Sequence, residues 1–308
     1  IARIYAMGGT YCFDPDGKPE NSETTYVPDG YVSVKEGDAY TVMPLEEAAV
    51  ARVEDNYYMT LPEAINGAQS GDIVTLLRNV TWDGEADDGT VLNVAPNFSL
   101  IFQGDDFTLR NGSLVSANRG SYALFIGDER ETADIVVENV TTTGGINIYN
   151  AHNVVLRNVD VTGTNYYAVW CDENGQAVIE SGIFRSNGVA VLGLAENNDG
   201  ANADSAMYIR GGNFDTSNGK PLVLEDGRDR NDPVITGGYF TSAPSAYVAS
   251  GYAAVDNSGD TVYQYKVVEA GENPAQVVTG EATVSVSDSI TNDEEKALAQ
   301  SVADALGE

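Results

Sequence analysis

The sequence has one histidine, His152, and two cysteines, Cys12 and Cys171, in 308 residues. A single histidine excludes a metal centre built on several imidazoles. It leaves a Ser-His or Cys-His enzyme only if His152 is the base. His152 sits in a polar turn, Asn150-Ala151-His152-Asn153, where a plain surface histidine is the simpler reading. Two cysteines this far apart make no disulfide framework. Both read as free thiols, with Cys171 a small buried hydrophobe. Basic residues are scarce as well: 16 Lys and Arg stand against 47 Asp and Glu, a formal charge of −31. Such a surface repels nucleic acid and anionic lipid, keeps the chain soluble and attracts divalent cations. No run of about 18 apolar residues is present, so no membrane insertion is expected. The chain opens at Ile1 with neither an initiator Met nor a signal peptide, which reads as an internal fragment or a processed product. Asn-Gly hairpin signals between candidate strands are few.

What is present is an internal repeat. Seven apolar anchors can be chosen, Leu77, Phe102, Val137, Leu156, Ile179, Ile209 and Ile235. Two residues after them come Asn79, Gly104, Asn139, Asn158, Ser181, Gly211 and Gly237, all but one Asn or Gly. Five residues after them come Trp82, Phe107, Thr142, Val161, Phe184, Phe214 and Phe240, aromatic or β-branched in every case. One geometry accounts for the three columns. A short strand delivers the anchor to a core, and one residue in the left-handed region turns the chain. A second short strand then returns a large side chain to the core. Gly, and less often Asn or Asp, visits that region cheaply. A third strand should precede each anchor, at Val91–Val94, Leu124–Ile126, Ile146–Tyr149, Ala168–Cys171, Val189–Leu192 and Leu222–Leu224. The fold expected is therefore all-β: a single-stranded parallel β-helix, three short strands per rung, in which each rung touches only its neighbours.

The exposed end of such a coil needs a lid. Thr60-Leu61-Pro62-Glu63 has the form of a capping box with Pro in the first turn, and Leu61, Ala64, Ile65 and Ala68 share one helical face. A short helix there should cap the first rung. Two flanking segments resemble each other. Gly8-Gly9-Thr10-Tyr11, then Tyr26-Val27-Pro28-Asp29-Gly30-Tyr31, then Tyr40-Thr41-Val42 is matched by Gly237-Gly238-Tyr239-Phe240, Tyr247-Val248-Ala249-Ser250-Gly251-Tyr252 and Tyr265-Lys266-Val267. Each reads as the last rung of a coil and its closing segment, as if an upstream copy preceded this one. A strand at Ala282–Val286 and a helix from about Asp293 to Leu306, capped by Asn292, are expected in the C-terminal stretch.

The rung pattern and the Gly-Gly-aromatic closing segment resemble the pectate-lyase-like right-handed β-helix superfamily. More narrowly, they resemble the β-helix units of large modular surface proteins of Gram-positive bacteria. The resemblance divides the chain into residues 1–53, the tail of a preceding unit and a linker, residues 54–270, the β-helix with its N-terminal capping helix, and residues 271–308, a small strand and helix extension. It implies an extracellular, cell-surface location and says little of activity, because the superfamily holds lyases, hydrolases, adhesins and inert stalks. The family picture puts substrate along the first strand of each rung. The His-Gly and Arg-x-Lys motifs of polygalacturonases are absent from the sequence.

If Leu124, Ile126, Ile146 and Ile148 point inward, Phe125, Asn147 and Tyr149 point outward, joined by Trp170. That face is aromatic and neutral, whereas glycoside hydrolysis needs two facing carboxylates. Carboxylates gather at strand ends instead: Asp128, Asp172, Glu173, Glu196, Glu225 and Asp226. Exposed rings beside carboxylates suit sugar recognition, because a ring face covers the apolar face of a pyranose. The candidate ligand-binding residues are Phe125, Tyr149, Tyr166, Tyr167, Trp170 and Asp172, with packing between rungs the competing role for Tyr167 and Trp170. The oxygen-rich insertion Ala195–Ser205 offers Glu196, Asp199, Asn202 and Asp204 as calcium ligands, or is an ordinary polar turn. Arg228 and Arg230 make the acidic loop Glu225–Asp232 a poorer cation site. The function expected is a monomeric, non-catalytic surface module that binds or displays a polysaccharide or host glycan. A polysaccharide-active enzyme and an inert stalk are the alternatives.

Overall fold

The computed structural model describes residues 3–17, 25–82, 92–94, 100–104, 107–111, 122–127, 134–162, 164, 166–195, 204–224 and 231–271. They belong to one compact unit, Ile1–Glu272; a second unit, Asn273–Glu308, lies outside them. So do the strand and helix expected at 282–286 and 293–306.

The described chain is mostly β-strand, arranged in large parallel sheets. Three stacks of parallel strands recur in the same order along the sequence. The first is in register through Val74, Phe102, Val137, Leu156, Ile179, Ile209 and Ile235. The second runs through Val80, Leu109, Thr142, Val161, Phe184, Phe214 and Phe240. The third is a five-stranded sheet of Leu92–Val94, Tyr122–Ile126, Gly145–Tyr149, Val169–Asp172 and Leu192–Leu194, extended by a bridge from Leu192 to Val223. Alternation along each strand sends every second side chain to one core. Val74, Phe102, Val137, Leu156, Leu124, Ile126, Ile146 and Ile148 are all fully buried there.

The expected anchors hold from Phe102 onward and the bulky residues five later hold from Thr142 onward; the places before them slip. Val74, not Leu77, stands in register with Phe102. Val80 and Leu109 take the places expected of Trp82 and Phe107. Apolar residues three apart, Val74 and Leu77, cannot be told apart by polarity, and only pairing decides between them. The last strand of the third sheet, Leu192–Leu194, also lies further along than the expected 189–192.

The turn after the anchor takes two forms. Asn139 and Asn158 have φ of 54° and 51°, as expected. Asn158 Nδ2 donates to Asn139 Oδ1 at 3.0 Å, so the asparagines also bond to each other from repeat to repeat. In the next three repeats the positive φ falls one residue later, at Gly182, Gly212 and Gly238, and not at Ser181, Gly211 or Gly237; nor is it at Asn79 or Gly104. Gly211 is required for a different reason. A Cβ there would lie 2.1 Å from the carbonyl oxygen of Glu180 in the repeat before. The rings of Phe184, Phe214 and Phe240 then stack at 5.3 and 5.0 Å.

The capping helix is Leu61–Gly67. Thr60 is extended at φ −135°, and its Oγ1 accepts the N–H of Glu63 at 3.3 Å. Leu61, Ala64, Ile65 and Ala68 are buried in the main core, as expected of a lid. The hairpin Ala51–Val53 and Asn56–Tyr58 pairs antiparallel with Ile73–Leu76 at the same end. At the other end Tyr265–Glu269 pairs antiparallel with both Tyr239–Phe240 and Tyr252–Asp256. A separate three-stranded antiparallel sheet, Gly9–Tyr11, Tyr31–Glu36 and Ala39–Pro44, has its own small core of Ala6, Val27 and Val42.

Candidate functional site

The five-stranded sheet has two faces. On one, Val169 and Cys171 are fully buried with Ile146 and Ile148. On the other, Phe125, Asn147, Trp170 and Gly193 lie in register on successive strands. Phe125, Tyr149, Tyr166 and Trp170 are partly exposed. The structure gathers five of the six candidate ligand-binding residues into two groups on this face. Phe125 and Tyr149 form a pair with centroids 5.5 Å apart. Tyr166, Tyr167 and Trp170 form a cluster with Tyr122: Tyr166 lies 4.4 Å from Tyr167 and 5.3 Å from Trp170, and Tyr122 lies 5.9 Å from Trp170.

Local bonds fix these rings. Thr164 Oγ1 accepts the N–H of Tyr166 and donates to the carbonyl of Tyr167. Ser186 Oγ donates to the carbonyl of Tyr166 and accepts the N–H of Gly188. Thr164 and Ser186 are both fully buried. Tyr167 is only 2% exposed, and a Cβ on Gly193 would meet its ring at 2.7 Å. Packing is thus the role the structure gives Tyr167. Tyr122, 1% exposed, is likewise packed; a Cβ on Gly145 would lie 3.1 Å from it and 2.3 Å from the carbonyl oxygen of Tyr167. Gly145 opens its strand, Gly145–Tyr149, and a strand glycine can mark a close approach, which is the sequence signal that could have found Tyr122.

Asn147 departs from expectation. Alternation turns it away from the core, yet it is 3% exposed, flanked in register by Phe125 and Trp170. Its Oδ1 and the Nε1 of Trp170 are both screened from solvent and have no hydrogen-bond partner among the described residues. An acceptor and a donor on adjacent strands are therefore unsatisfied, at a cost of about 1–3 kcal/mol each, beneath a row of aromatic rings.

Asp172 ends the same strand as Trp170 and pairs in register with Tyr149. Its Oδ1 accepts the N–H of Glu173 at 3.1 Å. Glu173 and Asn174 both turn through positive φ, 45° and 64°. Burial, reinforced by the charge of Asp172, pushes the Cys171 thiol above its usual range, which favours the protonated thiol. Of the calcium candidates, Glu196, Asp199 and Asn202 lie outside the described residues. Asp204 is exposed, with its N–H donating to Asn174 Oδ1 and its carbonyl accepting from Gln176 Nε2. Among the described residues no group of three His, Cys, Asp or Glu side chains could hold a metal ion. The acidic strand ends at Asp128, Glu196, Glu225 and Asp226, with Arg228 and Arg230, also lie outside them. No described helix is long and apolar enough to cross a membrane.

No protein-family model, curated protein or solved structure matches the chain.

Proposed function

We propose that the chain is a right-handed parallel β-helix of a modular bacterial surface protein, whose aromatic sheet face holds a glycan or host ligand without transforming it. The observation that carries this reading is the partly exposed row Phe125, Tyr149, Tyr166 and Trp170, above the unsatisfied Asn147 Oδ1 and Trp170 Nε1. Rings cover the apolar faces of a sugar. A hydroxyl reaching between them could donate to the amide oxygen and accept from the indole N–H at once, which is the pairing these atoms lack. The right hand follows from the strong preference of parallel strand connections for right-handed crossovers. The acidic composition suits a ligand that is neutral or cationic, since it repels polyanions.

A glycan array probed with the wild type and with Trp170→Ala tests the reading, run beside reducing-sugar and unsaturated-product assays. Binding to a neutral glycan that the substitution weakens at least tenfold supports it. Turnover of any polysaccharide replaces it with an enzymatic role, and an array on which neither protein binds leaves a spacer.

A further inference from the structure

The two closing segments share a strand order and several backbone bonds. In the C-terminal one, Ala249 N–H donates to the carbonyl of Ile235 at 2.9 Å, Tyr252 N–H to Ala249 at 3.1 Å and Ala270 N–H to Gly251 at 2.9 Å. In the N-terminal one, Tyr31 N–H donates to Pro28 at 3.1 Å and Leu45 N–H to Gly30 at 2.8 Å, while Ala6, at the position of Ile235, donates to Tyr26 at 2.8 Å where Ile235 accepts. Gly9 and Gly238 share a φ near 100°, at 99° and 102°, and Gly30 and Gly251 have 81° and 86°. In both modules the third strand lies between the other two, antiparallel to each.

They differ at one edge. Tyr239–Phe240 is paired in parallel with Asn213–Asp215, with Tyr239 N–H donating to Gly212 at 2.8 Å and Thr241 N–H to Phe214 at 3.2 Å. The matching strand Gly9–Tyr11 has no strand on that edge among the described residues. Phe240, stacked on Phe214, is 1% exposed. Around its counterpart Tyr11, by contrast, the surface is apolar and open: Ile4 is 84% exposed, Met7 58% and Phe13 54%. A cavity of about 490 Å³ opens between Ile4, Tyr5, Tyr11, Phe13 and Tyr26.

Gly8 decides what belongs there. At Gly237 a Cβ would strike the carbonyl oxygen of Arg210 in the preceding repeat at 2.1 Å. At Gly8 a Cβ would meet nothing within 4 Å, and its φ is not positive. Nothing in this structure requires a glycine at that position; a strand laid against Gly9–Tyr11 as Asn213–Asp215 lies against Tyr239–Phe240 would.

We propose that the edge Gly8–Cys12 docks the last repeat of another parallel stack, supplied by the same polypeptide ahead of Ile4. The incoming strand pairs in parallel, with a carbonyl over Gly8, an aromatic ring on Tyr11, and acceptors for the N–H groups of Thr10 and Cys12. The chemistry recognised is a strand ending in the pattern apolar-x-x-Gly-x-aromatic, as in this chain's Ile209 to Phe214 region.

The test is an extended protein in which residues 51–232 are duplicated and joined directly to Ile4, the rest running to Glu308. Thr10 and Cys12 amides should exchange about 100-fold or more slowly than in the unextended chain. Gly8→Val should abolish that protection in the extended protein and leave the Tm of the unextended one within a degree. Fast exchange at Thr10 and Cys12 beside a folded added segment overturns the proposal, as does failure of the added segment to fold. A loss of several degrees from Gly8→Val in the unextended chain also overturns it, because the glycine would then have a local cause. If the unextended chain dimerises through this edge, the partner is a second molecule and the covalent assignment falls.

Discussion

Replacing Gly211 with alanine adds one methyl group, and the parallel stacking makes that group costly. It would sit 2.1 Å from the carbonyl oxygen of Glu180 and 3.2 Å from its carbon, where ordinary contact begins at 3.4 Å. Relief requires the two repeats to part locally by about 1.3 Å, against a normal strand spacing of about 4.8 Å. The bond from Arg210 N–H to the carbonyl of Ile179, 2.9 Å long, lies beside the clash and would be stretched or lost. Overpacking costs about 1–3 kcal/mol and a lost ladder bond about 1 kcal/mol, so Gly211→Ala should destabilise by about 2–4 kcal/mol. The φ of Gly211 is not positive, so left-handed strain contributes nothing. Gly219 supplies the contrast: its φ is 80° and nothing lies within 4 Å. Gly219→Ala should cost about 1–2 kcal/mol of backbone strain and leave neighbouring repeats undisturbed. Urea unfolding gives both losses, and amide exchange at Arg210, the donor of that bond, separates them, since only Gly211→Ala should speed it. A Gly211→Ala protein within about 0.5 kcal/mol of wild type would refute the close approach and, with it, the register between these repeats.

Three further outcomes follow from the core and the charges. Phe214→Ala empties the middle of a three-ring stack that is fully buried, and urea unfolding should show a loss of about 3–5 kcal/mol. A thiol reagent should titrate Cys12, which is exposed, in the native protein, and reach buried Cys171 only in denaturant; rapid native labelling of both would contradict the burial of Cys171. Burial alone would raise the pKa of Asp215, but hydrogen bonds from the Ser217 hydroxyl and N–H and the charge of Arg185 outweigh it and leave it lowered. A lowered carboxylate stabilises the fold above its unfolded value, about 3.9, and that contribution disappears as pH falls through the folded value. Asp215→Asn should therefore narrow the stability difference between pH 5 and pH 2, and an unchanged difference would count against the interaction.

The repeat was legible where side-chain type and position agree. From Val137 onward, an apolar anchor followed two residues later by Asn, Gly or, once, Ser and five later by an aromatic or β-branched residue gives the strand order and the parallel register. Before Val137 only Phe102 keeps its expected place; elsewhere two apolar residues compete, and pairing, which polarity cannot express, chooses Val74, Val80 and Leu109. The kink was legible only in part. Asn139 and Asn158 must carry the positive φ because no glycine adjoins them, whereas Gly211-Gly212 and Gly237-Gly238 offer two candidates. One glycine of each pair serves conformation and the other serves clearance from the preceding carbonyl, a distinction that exists only once repeats are stacked. At the aromatic face, alternation correctly set Phe125, Tyr149 and Trp170 apart from the core. It could not show that Tyr167 is packed, that Tyr122 joins the cluster or that Asn147 is covered, because burial on an outward face depends on neighbours from other strands.

The place filled by the Tyr167 ring constrains how this sheet could have arisen. A methyl on residue 193 and that ring cannot occupy the same volume. An ancestor with alanine at 193 could therefore not acquire tyrosine at 167 in a single tolerated step; the small residue had to be in place first. Once the tyrosine was established, reversal at 193 was closed to it. Position 193, 26 residues along the sequence from 167, is thus expected to stay glycine in every descendant of this chain that keeps Tyr167, whereas 167 can change alone.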